Sequence, residues 1–75
     1  MNKMRRKEIA KAIELMEQAR EILEQVRDEE QEAFDNLPEG IQSSERGETM
    51  EDYIYTIEDI MDSLDTDSLQ EIVDA

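Results

Sequence analysis

Neighbouring carboxylates are the residues of this chain whose spacing first suggests chemistry. Glu51 stands next to Asp52, and seven residues later Glu58 stands next to Asp59. Two carboxylates perform general acid–base catalysis when burial or a close like charge raises one of their pKa values. Nothing apolar enough to bury these pairs surrounds them, so we interpret them as a solvated helix face. The sequence therefore predicts no catalytic residue.

Metal and cofactor sites are disfavoured by composition. The chain contains no histidine and no cysteine, which removes the usual nucleophilic triads, histidine-bearing zinc sites and the Glu-x-x-His motif of di-iron bundles. Asp65-Thr66-Asp67 could open a calcium loop, but Leu69 occupies the third ligand position and Gln70 the required glycine. We therefore expect no metal, no cofactor and no enzymatic activity.

The acidic residues of the second half are the candidate partner surface. A formal net charge of −14 disfavours direct binding to nucleic acid or to an anionic membrane, so we expect a protein partner with a basic surface. One aromatic residue on this segment points away from the apolar positions, as contact residues at interfaces do. The predicted surface comprises Glu51, Asp52, Tyr55, Glu58, Asp59, Asp62 and Asp65.

Two classes of function agree with this composition. The first is a non-enzymatic protein–protein interaction module that self-associates through apolar seams and binds a partner through acidic faces. The alternative is a nucleic-acid mimic that inhibits a DNA-binding host or defence enzyme, with its carboxylates standing in for phosphates. Binding by a mimic should weaken steeply with added salt, whereas an apolar dimer should not.

The first half of the chain is predicted to be a helix over about residues 3–36, because apolar residues recur at intervals of three and four. We expect its seam to combine small residues at Ala12, Ala19, Val26 and Ala33 with larger ones that include Met16 and Leu23. Glu30 interrupts the seam. The hairpin alone is expected to leave three neighbouring apolar residues uncovered: Ile13, Ile22 and Phe34.

Pro38 and its neighbours predict a turn over about residues 37–43, since proline disfavours helical geometry in the residue before it. A second helix over about 44–74 should begin at an N-cap formed by Ser43 or Ser44, with Gly47 weakening its first turn. We favour one continuous helix to Asp74. The alternative is a short third helix after residues 65–68, with Ser68 and Glu71 as a capping box.

The predicted fold class is all-α, an antiparallel two-helix hairpin that resembles a coiled coil and forms a single domain over 1–75. Five of eight basic residues fall in the first eleven positions, and the chain from Gly47 onward carries ten carboxylates and no base. This sorting favours the hairpin register. With few apolar residues for a core, we expect a homodimer in the form of a four-helix bundle. The predicted self-association residues are Ile13, Met16, Ala19, Leu23, Val26, Phe34, Ile54, Ile57, Met61 and Leu64.

The expected location is the cytoplasm. The chain has no cysteine for disulfides and no apolar run near the roughly 20 residues that span a bilayer. Glu8 and Lys11 interrupt the segment after the basic start, so we expect no secretory signal.

The centre of the chain, Glu29-Glu30-Gln31-Glu32-Ala33-Phe34-Asp35-Asn36-Leu37-Pro38-Glu39-Gly40-Ile41-Gln42-Ser43-Ser44-Glu45-Arg46-Gly47-Glu48, resembles small acidic helical-hairpin proteins of bacteriophages and prophages. Those proteins share a basic start, a charged helix, an Asn-Leu-Pro-Glu turn followed by Ser-Glu-Arg, and a second acidic helix. The resemblance implies a phage or mobile-element setting and no particular activity. The chain departs from the pattern at Tyr53, at Tyr55 and over 65–68.

Overall fold

The computed structural model describes all 75 residues, of which 85% are helical and none form strands. The helices are α1 (Lys3–Asp35), α2 (Glu39–Gln42), α3 (Glu45–Ser63) and α4 (Asp67–Asp74). Both α3 and α4 pack along α1, and the molecule measures 57 × 14 × 13 Å. The all-α prediction is confirmed, and the elongated shape is that of a helical hairpin. None of the helices combines the length and apolar character needed to cross a membrane.

Helix α1 is closed at both ends by side chains that satisfy free backbone groups. At its start, the side-chain oxygen of Asn2 accepts a hydrogen bond from the Arg5 backbone N–H at 2.8 Å. At its end, the side-chain amide of Gln42 donates to the Phe34 carbonyl at 3.1 Å and to the Asp35 carbonyl at 3.4 Å. The predicted stop before Pro38 is therefore reinforced by the turn itself.

The turn contains a short helix, α2, that the sequence did not predict. The Pro38 carbonyl accepts backbone hydrogen bonds from Ile41 and Gln42, and Ser44 is the N-cap residue of α3. Gly47 is fully buried where the first turn of α3 meets α2. An added Cβ at Gly47 would lie 2.7 Å from the Ile41 carbonyl oxygen and closer still to that of Gln42. Glycine at this position permits a close approach of two backbones.

The side of α1 that packs on α3 differs from the predicted seam. Only Ile13 (6% exposed) and Ile54 (2% exposed) are apolar side chains classed as buried. Ala19 and Val26, predicted to face the neighbouring helix, are instead exposed. The buried and half-buried residues of α1 form an inner stripe spaced by three and four: Arg6, Ile9, Ile13, Met16, Arg20, Leu23, Arg27, Glu30 and Phe34.

Arginine residues explain why the packed side of α1 differs from the predicted seam. The inner stripe includes arginines at positions that a hydrophobicity pattern assigns to the surface, yet an arginine can bury its aliphatic stem and keep its guanidinium near water. Arg20 and Arg27 do so on either side of Leu23. Ile13 and Phe34, expected to remain uncovered by the hairpin, consequently face inward, whereas Ile22 is exposed as predicted.

The second arm is two helices instead of the continuous helix expected over 44–74. Helix α3 ends at Ser63, and α4 begins at Asp67. The Asp65 carboxylate accepts hydrogen bonds from the backbone N–H groups of Asp67 at 3.0 Å and Ser68 at 3.3 Å. The cap of α4 is thus Asp65, and the predicted capping box of Ser68 with Glu71 does not form. The break is also held by the Arg20 guanidinium, which donates to the Leu64 carbonyl.

Candidate interaction surfaces

The hairpin has two flanks, which are the surfaces on either side of the contact between α1 and α3. The two helices run antiparallel, and their inner stripes repeat every seven residues. In such a pair, each flank of one helix stays beside the same flank of the other. Arg27 marks one of these flanks. Its guanidinium pairs with Asp28 at 2.9 Å, and this hydrogen bond is the main cause that raises the pKa of Arg27. The negative charges of Asp28, Glu24 and Glu58 act in the same direction, so carboxylates of both helices meet here.

This acidic flank carries most of the predicted partner surface. On α3, Asp52, Asp59 and Asp62 are exposed, while Glu51 and Glu58 are half-buried beside the inner stripe. The helical positions of α1 add further acids to the same flank. The acidic flank consists of Glu51, Asp52, Tyr55, Glu58, Asp59 and Asp62 of α3 with Glu14, Glu17, Glu21, Glu24 and Asp28 of α1.

The middle of the acidic flank has a shallow cleft lined by Arg27, Glu58, Met61 and Asp62. It combines one guanidinium from α1 with two carboxylates from α3. Tyr55 lies one turn away along α3 and is 58% exposed. An exposed aromatic ring surrounded by carboxylates offers apolar contact to a partner whose basic groups pair with those carboxylates.

Asp65 differs from the other residues of the predicted surface because its carboxylate is engaged within the chain. The Ser68 hydroxyl donates to it at 2.8 Å. This hydrogen bond, assisted by the Ser68 and Asp67 backbone N–H groups and the charge of Arg20, lowers the pKa of Asp65. Its position at the start of α4 makes Asp65 a helix cap.

Comparison of the chain with protein-family models, curated proteins and solved structures gave no match. No group of three or more carboxylates in the structure is arranged to hold a metal ion.

The opposite flank lacks acidic residues over most of its length. On α1 its residues are apolar, and on α3 they are threonine, serine, tyrosine and isoleucine, all of them exposed. The uncharged flank consists of Ala12, Leu15, Ala19, Ile22 and Val26 of α1 with Thr49, Tyr53, Thr56, Ile60 and Ser63 of α3. Tyr53 belongs to this exposed set. Sequence reasoning also overlooked Leu15.

The ten predicted self-association residues fall into two groups in the structure. Eight of them lie between the helices of one chain, where they are buried or half-buried, and only Ala19 and Val26 lie on the uncharged flank. The inward group is Ile13, Met16, Leu23, Phe34, Ile54, Ile57, Met61 and Leu64. These eight build the hairpin itself.

The inner arginines are the packing residues that sequence reasoning missed. A spacing of seven residues relates Arg6, Arg20 and Arg27 to Ile13 and Phe34. That spacing was the sequence signal that could have placed the arginines on the inner stripe. The basic start and the acidic end of the chain form no ion pair with each other. The only ion pair within 4.0 Å joins Arg27 and Asp28. Exposed ion pairs contribute little, so the hairpin forms without them.

Proposed function

We propose that this protein is a non-enzymatic interaction module that self-associates through one flank and binds a basic protein partner through the other. The turn that resembles phage and prophage proteins suggests a mobile-element setting in a host cytoplasm. One observation carries the proposal. The hairpin sorts its exposed side chains so that carboxylates and Tyr55 occupy one flank and uncharged residues the other.

Charge on the acidic flank supports partner binding because it is largely unneutralised. The flank has a single ion pair, between Arg27 and Asp28, and α3 and α4 contain one base, Arg46. Complementary charge increases the association rate and selects among partners more than it adds affinity. The module should therefore bind quickly and selectively to a basic surface, with Tyr55 adding apolar contact.

Capture from a host lysate tests the acidic flank when two variants of equal charge are compared. The flank variant changes Glu51, Asp52, Glu58, Asp59 and Asp62 to the corresponding amides. The control variant makes the same change at five exposed acids outside the acidic flank: Glu8, Glu29, Glu39, Glu71 and Asp74. Each variant removes five of the 22 acidic residues, so the net charge of the two is identical.

We expect the wild type and the control variant to capture the same protein, and the flank variant to lose it. The captured protein should be released as salt rises, because the contact is between exposed charges. Equal capture by all three proteins, or equal loss from both variants, would show that the acidic flank is not the binding surface.

The nucleic-acid mimic remains a second candidate because of one observation. The exposed carboxylates of α3 recur at seven-residue intervals, as in Asp52 and Asp59, with no base on the same flank of that helix. A mimic requires that the captured protein bind duplex DNA and that DNA displace the hairpin competitively. Simultaneous binding of DNA and the hairpin to the captured protein excludes mimicry and leaves the interaction module.

A further inference from the structure

The uncharged flank leaves apolar surface on α1 that no other part of the chain covers. Ile22 is 63% exposed, and Leu15 and Val26 on the same stripe are also exposed. Ala12 and Ala19 separate them at intervals of three and four, which allows another helix to approach closely. The stripe extends over more than two heptads of the longest helix in the molecule.

We propose that the occupant of this stripe is the same stripe of a second copy, with the two α1 helices antiparallel and a two-fold axis between Ala19 and Ile22. This inference rests on the proposed self-association and assigns its geometry. An isologous contact of this kind closes on itself, as dimers with two-fold symmetry do.

Side-chain sizes fit this register. Placing Ala19 opposite Ile22 of the second copy sets a small residue against a large one, and by symmetry the same contact occurs twice. One layer further out, Leu15 meets Val26 of the second copy. Small residues facing large ones let helices interdigitate without leaving voids. The half-buried side chains of Met16 and Leu23 border the contact and would be covered more fully.

Charge selects the antiparallel orientation. Lys3, Arg5, Arg6, Lys7 and Lys11 lie in the first third of α1, whereas its last eight residues carry five carboxylates and no base. Antiparallel pairing sets each basic start beside the acidic end of the other α1. Parallel pairing would set acid against acid and base against base, and like charges that face each other are unfavourable.

One contact in this register provides a specific test. Lys11 lies beside Glu32 of the second copy, and Gln18 lies beside Gln25 of the second copy. Within one chain, Lys11 and Glu32 are about 32 Å apart along α1, so they do not interact. A coupling between these two positions can therefore arise only across the antiparallel dimer.

Sedimentation of two matched variants tests the surface. Ile22→Glu places a charge in the proposed contact, and Tyr55→Glu makes the same change at a residue of similar exposure on the acidic flank. We expect Ile22→Glu to raise the dimer Kd at least about 100-fold, since two unpaired charges would be buried. Tyr55→Glu should leave the Kd close to that of the wild type, and circular dichroism should show both variants helical.

A charge-swap cycle tests the register without a risk of unfolding, because both residues are exposed. Lys11→Glu and Glu32→Lys should each raise the dimer Kd, by about 2- to 30-fold for two symmetric pairs. The double variant should restore the Kd of the wild type. Added salt should diminish the effect of each single variant.

The outcomes separate the geometry from the proposed function. A dimer that survives Ile22→Glu, or a double swap that fails to restore the Kd, overturns the antiparallel pairing while self-association stands. A wild type that remains an 8.8 kDa monomer at hundreds of micromolar overturns both the pairing and the self-association. Partner capture by the acidic flank is tested separately with the amide variants, so its failure is distinguishable from either result.

Discussion

Gly47 shows how one residue fixes the hairpin bend. A glycine in the first turn of a helix normally weakens that turn, by about 1 kcal/mol relative to alanine. Here the missing side chain lets α3 begin directly against the Ile41 and Gln42 carbonyls. The close approach sets the direction in which the chain returns along α1, and so the alignment of both flanks depends on it.

Gly47→Ala should therefore destabilise the fold, although alanine is the better helix former. The added methyl group would collide with backbone atoms, and overpacking of this kind costs about 1–3 kcal/mol. Urea unfolding followed by circular dichroism measures the free-energy change. Gly40→Ala is the matched control, because a Cβ at Gly40 meets nothing within 4 Å. It should be neutral or stabilising by ~0.4–1 kcal/mol. Equal effects at the two glycines would show that close approach does not fix the bend.

Arg20 and Arg27 show where sequence reasoning fails at this scale. A hydrophobicity pattern places charged residues at the surface, and the predicted seam accordingly includes Ala19 and Val26 but neither arginine. The cause is that an arginine is long enough to fill space with its stem and still reach polar groups, in this case the Leu64 carbonyl and Asp28. The residue type at a single position cannot distinguish an arginine with a packed stem from a fully exposed arginine.

At the scale of the helix, Asp65 connects charge to the start of α4. Its pKa is lowered in the folded state by hydrogen bonds from Ser68. A carboxylate with a lowered folded-state pKa contributes stability that is complete above its unfolded pKa of about 3.9 and is lost as pH falls through the folded value. The anchoring of α4 should accordingly weaken in acid.

Asp65→Asn tests this contribution because asparagine can accept the same hydrogen bonds without a charge. The difference in unfolding free energy between wild type and variant should be largest near pH 7 and should shrink as pH falls below the unfolded pKa of aspartate, about 3.9. Asp52→Asn removes an equal charge from an exposed position in the middle of α3, and its difference provides the background. Identical pH profiles for the two variants would contradict a capping role for Asp65.

Helix boundaries were predictable where local chemistry decides them. Helix α1 ends at Asp35, close to the predicted position before Pro38, and Ser44 occupies the N-cap position of α3 but makes no capping hydrogen bond with its side chain. The break before α4 combines the local Asp65 cap with a contact between residues 44 positions apart, in which Arg20 donates to the Leu64 carbonyl. No local pattern contains that contact. The α3 part of the acidic flank was predictable because the spacing of its carboxylates, like helical periodicity itself, is a local property of the sequence.

At the scale of the molecule, the two flanks assign different roles to the two arms. Helix α1 extends along the whole hairpin and carries the apolar stripe, whereas α3 carries most of the predicted partner surface. A dimer built on α1 leaves the acidic flanks of both copies open. Two equivalent acidic surfaces in one particle would raise the effective affinity for a repetitive or dimeric partner.

Reversing the basic start tests how charge acts on the assembled molecule. Changing Lys3, Arg5, Lys7 and Lys11 to Glu should destabilise the protein, with each lost exposed pair contributing only ~0.2–1 kcal/mol. Arg6 is left unchanged because it is half-buried in the inner stripe. If the cluster pairs with the acidic end of a second α1, the loss measured by thermal unfolding should grow with protein concentration and shrink in high salt. A loss independent of concentration would instead place the partner charges on α4 of the same chain. Unchanged stability with lost partner capture would make the basic start a binding surface.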